Sequence, residues 1–168
     1  MSPQMTSTML LALRPAGAQA VPGASFRLLP REGLDVAFVR SSESMGGAIA
    51  EEDRLWPQQM RRAVRAGLSR WNRPDITEAA ELLVTELVTN ALRHGRGDVR
   101  VRVHLATGRV LIEVQDGSHE VAVPRNATPV DEDGRGLLLV TAIADDWGVS
   151  PDGTTTWCSL LLRDGTTA

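Results

Sequence analysis

Glu86 and Asn90 stand four residues apart in the run Glu86-Leu-Val-Thr-Asn90-Ala-Leu-Arg-His94, and Asp116-Gly117 and Gly134-Arg135-Gly136 follow in that order. Around the first pair, Leu83, Leu87 and Ala91, with Val84 and Val88, keep helical apolar spacing. One helix face therefore presents a carboxylate and a neutral amide to the same space. That pairing suits a magnesium nucleotide: the amide oxygen of Asn90 can coordinate a hard cation that keeps most of its waters and phosphate ligands. The Glu86 carboxylate is then free to orient or deprotonate a nucleophile.

The other two segments offer complementary chemistry. Asp116 follows a strand-like run, and Gly117 beside it would let a ligand approach the backbone. Gly134-Arg135-Gly136 stands just ahead of renewed helical spacing at Leu137, Leu138, Val140, Thr141 and Ile143. Free N–H groups and the helix dipole favour phosphate at such a place, while Arg135 either adds charge or points to solvent. Taken singly, an Asp-Gly pair is usually a turn and a Gly-x-Gly a helix-starting loop. Their order and separations give the set its weight.

The elements that must position these residues read as follows. Residues 1–32 are rich in Ser, Thr, Pro, Ala and Gly, which predicts a mobile tail with no assigned function, ahead of a domain at 33–165. A short strand is expected at Leu34 to Arg40. Asp53 to Trp71 reads as an amphipathic helix with Leu55, Met60, Val64 and Leu68 near one face, regular from Pro57 onward. Arg61, Arg62, Arg65 and Arg70 on the opposite side read as a solvated face.

Thr77 starts the helix that carries Glu86 and Asn90, and His94-Gly95 ends it, with glycine expected at a left-handed cap. Val99, Val101, Val103 and Leu105 alternate with polar residues, and Val110 to Val114 makes a neighbouring strand. A last helix is expected over Gly136 to Asp146 and two final strands at Trp147 to Val149 and Thr155 to Leu162. The fold class is α+β, a two-layer sandwich with a mostly antiparallel sheet covered on one face by helices.

Length and charge narrow the function classes. A chain of 168 residues fits one domain with a real core and a tail, without room for a second catalytic domain. A formal net charge of −3, with both signs interspersed, gives no electrostatic footprint for nucleic acid. Met9 to Leu13, the longest N-terminal apolar stretch, is too short for a membrane span, so a cytoplasmic protein is expected. The single cysteine, Cys158, excludes an internal disulfide and reads as a buried thiol. His94, His104 and His119 are too scattered along strand, helix end and loop to make a metal site.

The three segments together resemble the nucleotide-binding boxes of the GHKL ATPase superfamily, which groups gyrase, Hsp90, histidine kinase and MutL ATPase domains. The short chain and the Glu-Leu-Val-Thr-Asn-Ala form of the first box look most like bacterial anti-sigma factor serine/threonine kinases, over roughly residues 35 to 163. The resemblance implies the Bergerat-type ATP-binding fold, ATP and Mg2+ as cofactors, and partner switching between a sigma factor and an anti-sigma antagonist that is phosphorylated on Ser or Thr. It also implies homodimerisation.

By the same resemblance, Glu86 is the catalytic residue, Asn90 the magnesium ligand, and Asp116 the acceptor for the adenine amino group. Gly117, Gly134, Arg135 and Gly136 join the ATP site, and residues 118 to 133 stand where the ATP lid lies. Gly153-Thr-Thr-Thr156-Trp157 resembles the final strand, without its lysine, and Thr155 there either reaches the adenine carboxylate or a bridging water, joining the ATP site, or is an ordinary β-branched strand residue.

One departure favours a different class of function. Asp131-Glu132-Asp133 precede the glycines, where the resembled kinases usually carry a basic residue, and acids there repel phosphate unless they face solvent or bind metal. The alternative is a non-catalytic, nucleotide-responsive module that sequesters a regulator.

Overall fold

Alternating apolar residues build the sheet. The computed structural model describes residues 24–29, 33–41, 47–118 and 132–163, with the backbone alone described at 24–29 and 132–135. Strands Ala24–Leu29 (β1), Gly33–Phe38 (β2), Val99–Ala106 (β3), Arg109–Gln115 (β4), Asp146–Val149 (β5) and Thr155–Leu161 (β6) form one sheet in the order β1-β2-β3-β4-β6-β5. All neighbours are antiparallel. The register sets Val36 beside Val101, Val101 beside Val114, Val103 beside Ile112, and Ile112 beside Cys158. Because side chains alternate across a strand, this register lines one face with β-branched and apolar residues, all fully or nearly fully buried.

Three helices cover that face: Trp56–Arg70 (α1), Thr77–His94 (α2) and Glu132–Ile143 (α3). From α1, Trp56, Met60, Val64 and Leu68 are buried at four-residue intervals. Phe38 stacks on Trp56 with ring centroids 4.1 Å apart and planes 12° from parallel, a contact worth about 0.5–1.5 kcal/mol beyond its area. Trp56 takes the place expected for Leu55, which is 37% exposed. From α2, Leu83, Leu87 and Ala91, with Val84 and Val88, enter the core as their spacing predicts.

The opposite sheet face is polar. Arg100 Nε and Nη2 donate to the Asp35 carboxylate at 2.8 and 2.5 Å, and Arg102 Nε lies 3.8 Å from Glu113. A two-layer α+β sandwich follows, as the sequence predicts. No described helix is long and apolar enough to cross a membrane.

Three expectations need correction. Residues 24–29, read as part of a tail, form edge strand β1, whose backbone hydrogen bonds come from β2 rather than from any strong local pattern. The last helix begins at Glu132, ahead of the glycines rather than after them; acidic types in a first turn suit the positive end of the helix dipole. Gly95 ends α2 with φ −76° and ψ 175°, extended rather than left-handed. The α1 arginines Arg61, Arg62, Arg65 and Arg70 are exposed, as expected, but two of them also serve a buried partner. Arg65 grips buried Glu81 of α2 through Nε and, at 2.8 Å, through Nη2, with Arg61 4.0 Å away. Residues 1–23 and 119–131, including most of the expected lid, Asp131 and His119, lie outside the described residues.

The Arg65–Glu81 pair carries a testable pH dependence. The Arg65 hydrogen bond holds the Glu81 carboxyl below its ordinary pKa, so its stabilisation is present above the unfolded carboxylate pKa and is lost as pH falls through the folded one. Arg65→Met should therefore lower the thermal midpoint at pH 7 and converge on wild type in acid. A constant difference across that range, measured by calorimetry, would exclude the ion pair as the cause.

Candidate functional site between the central helix and the sheet

α2 carries the site because its apolar stripe faces the sheet while Glu86 and Asn90, half-buried, project toward α3. The first turn of α3 closes on them. A methyl group added at Gly136 would stand 2.9 Å from Glu86 Oε2 and 3.2 and 3.3 Å from Asn90 Oδ1 and Nδ2. The first and third sequence segments therefore meet, and glycine leaves both side chains where they stand. Gly134 and the Arg135 backbone lie among the first four residues of α3, whose N–H groups have no intrahelical partner. Gly136 is one residue too deep to share that freedom. The Arg135 side chain lies outside the described part.

Burial raises the Glu86 carboxyl pKa above its ordinary value, an effect partly offset by the charge of Arg93. A raised carboxyl is the form suited to accepting a proton near neutrality. The Asn90 amide oxygen suits magnesium, with the Glu86 carboxylate beside the same space. Both place oxygens around the same point beside Gly136, and hard oxygen donors are what this ion takes. Among the described residues no group of three or more His, Cys, Asp or Glu side chains could hold a metal ion.

Asp116 stands at the C-terminal end of α2, past Asn90. Its backbone N–H donates to the Thr154 carbonyl at 2.9 Å, and its Oδ1 accepts the Ser118 N–H at 2.8 Å. The expected turn-capping bond therefore exists, and it fixes one carboxylate oxygen while Oδ2 faces Gly95. A methyl group at Gly95 would fall 2.6 Å from both Cγ and Oδ2 of Asp116 and 2.5 Å from the Ala91 carbonyl. Gly95 is thus required by close approach and not by its dihedral angles. Gly117 is held against the Arg96 carbonyl, to which its N–H donates. Burial raises the Asp116 pKa; the Ser118 N–H and the charges of Arg40 and His94 oppose it.

The register puts Thr155 on the sheet face away from the helices. This residue pairs with Gln115, and its N–H donates to Ser150 Oγ at 3.0 Å. Strand alternation puts Thr156, paired with Val114, on the helix-covered face where Asp116 lies. Sequence reasoning passed over Thr156 because three consecutive threonines give no parity until the register is known. It also missed Arg40, whose Nη1 donates to the Gly95 carbonyl at 2.6 Å and whose Nη2 donates to that of Ala91. An arginine just past a strand carries no signal of burial.

Among the histidines, exposed His94 lends charge near Asp116, while His104 lies on the outer sheet face 3.9 Å from Glu113. Cys158 is wholly buried, and desolvation pushes its thiol up to about 12, which makes it inert as a nucleophile.

The Gly136 contact separates stability from function. Gly136→Ala should gain up to about 1 kcal/mol of helix propensity, because the group that must yield is the end of the flexible Glu86 side chain. Magnesium-dependent nucleotide binding should weaken as Glu86 and Asn90 are displaced. Thermal melts and calorimetry on the one variant check both; a destabilised protein with unchanged nucleotide affinity would contradict this packing.

Comparison with curated proteins found no match. A family model described as "Histidine kinase-like ATPase domain" matches residues 53–160, well over half of the chain, from just before α1 to the end of β6. The matched span contains Glu86, Asn90, Asp116, Gly136 and the sheet that sets them. With helices on one sheet face and the first and third segments meeting at Gly136, the match shows that the chain belongs to the histidine kinase-like ATPase domain family of the GHKL ATPases and is built to bind ATP.

Proposed function

We propose that this protein is a cytoplasmic regulator of the anti-sigma kinase type, which sequesters a sigma factor and transfers the ATP γ-phosphoryl group to a Ser or Thr of an antagonist protein. The observation that carries the reading is the convergence of Glu86 and Asn90 beside Gly136 at the first turn of α3. In this reading Glu86 orients or deprotonates the protein hydroxyl, and Asn90 holds magnesium, which supplies charge neutralisation at the phosphates. Asp116 accepts the adenine amino group and disfavours guanine, which presents a carbonyl there. The amides of Gly134 and Arg135 face phosphate. Transfer of this kind depends chiefly on positioning and electrostatics, and the family's habit supports action as a homodimer.

A second reading, sequestration without transfer, is favoured by Glu132 and Asp133, which put two acidic residue types in the first turn of α3, at the end meant for phosphate. One experiment separates the two. A partner captured by the tagged protein and identified by mass spectrometry is incubated with it, magnesium and γ-labelled ATP. Label on a Ser or Thr of the partner supports the kinase; an unlabelled partner whose retention still changes with nucleotide supports sequestration and rejects transfer.

A further inference from the structure

Arg40, two residues past the end of β2, is a buried cation, 8% exposed. Two of its nitrogens are spent on main-chain carbonyls of α2, those of Gly95 and Ala91, and its Nε–H is buried without a hydrogen-bond partner. It forms no ion pair among the described residues. Burying a guanidinium without a carboxylate against it is costly, and capping a helix C-terminus returns only part of that cost. The site that benefits lies across Gly95. Arg40 Nη1 meets the carbonyl of this residue at 2.6 Å, and its Cα hydrogens face the Asp116 carboxylate, so that an added methyl would fall 2.6 Å from Cγ. Just before the next helical turn, Asp53 accepts the N–H of Ser41 at 3.1 Å and its hydroxyl at 2.9 Å. The chain on the far side of Arg40 is thereby held.

We propose that Arg40 is a positioning residue that holds Asp116 as an anionic acceptor, through its buried charge and through the Gly95 peptide that the two side chains share. The inference rests on Asp116 as the adenine contact. Among the described residues, the groups that act on that carboxylate are Arg40 beyond β2, His94 at the end of α2 and the Ser118 N–H of the following loop, while the Thr154 carbonyl holds the Asp116 backbone N–H. Burial works against ionisation of Asp116, and Arg40 and His94 work for it. Of the two, Arg40 is buried and His94 is exposed, so solvent screens the first less.

The test reads Asp116 directly. Its carboxyl carbon is titrated by NMR in the nucleotide-free full chain of wild type, Arg40→Lys and Arg40→Met, and ATP affinity is measured by calorimetry across the same pH range. Arg40→Met should raise the Asp116 midpoint by about one unit, a tenfold change in the ratio of ionised to protonated carboxyl. ATP binding should then fail at mildly acid pH and recover as pH rises past the new midpoint. Arg40→Lys, which keeps the charge, should restore the wild-type midpoint.

A role limited to capping α2 predicts loss of stability in both variants with an unmoved midpoint, and that result overturns the proposal. Should Arg40→Met not fold, the Arg40 Nε–H resonance of wild type must shift with the Asp116 midpoint; a flat trace overturns it equally. A moved midpoint in a protein whose ATP affinity is indifferent to Asp116→Asn supports the coupling and overturns the adenine assignment instead.

Discussion

Asp116→Asn should weaken ATP binding by roughly ten- to a hundredfold, the equivalent of about 1.5–3 kcal/mol for a hydrogen bond to a charged group. The amide keeps an acceptor oxygen, so shape is conserved. What disappears is the charge that faces the adenine amino group, together with the discrimination against GTP. The native carboxylate has its own pH limit. Burial raises its pKa, so the ionised acceptor is lost as pH falls through a value above the ordinary carboxylate range, and ATP affinity should decline in mild acid in wild type but stay flat in the variant. Calorimetry with ATP and GTP at neutral and mildly acid pH measures both effects. A folded variant with unchanged affinity for ATP would remove Asp116 from base recognition and leave it the turn-capping role that its bond to Ser118 already shows.

Glu86→Gln carries the second large effect. General-base assistance is typically worth about 10²–10⁴-fold, so phosphoryl transfer should fall by that order while ATP affinity changes little, because Asn90 and not Glu86 is assigned the magnesium. In wild type the transfer rate should rise with pH through the raised Glu86 pKa. Stability should move the other way. A carboxyl whose folded pKa is raised contributes stability only below its unfolded pKa and loses it as pH rises through the folded value. At neutral pH the ionised, desolvated Glu86 is therefore a burden, and Glu86→Gln should melt higher than wild type, with the advantage fading in acid. Single-turnover assays and thermal melts over one pH series test the pair of claims. Equal loss of binding and transfer in a folded variant would end the division of labour between Glu86 and Asn90.

The sequence alone determined the elements whose signals are local. Period-two alternation in β3 and β4 and the apolar stripe of α2 fold as they read, since each pattern has only one way to bury its face. The spacing of Glu86 and Asn90 likewise fixed their common helix face. Only the tertiary structure decided what those residues meet. Edge strand β1 exists because β2 supplies its hydrogen bonds, and no local pattern could say so. Thr156 shares a face with Asp116, and Thr155 does not, because of the β4–β6 register; a one-residue slip would exchange them. Gly136 and Gly95 are small because side chains far away in sequence crowd them, a demand that a turn-minded reading of glycine mistakes for conformational freedom. Arg40 was illegible for the same reason: burial and long-range bonds to the end of α2, 55 and 51 residues on, are properties of packing, and an arginine just past a strand looks the same in the sequence whether it meets solvent or a helix terminus.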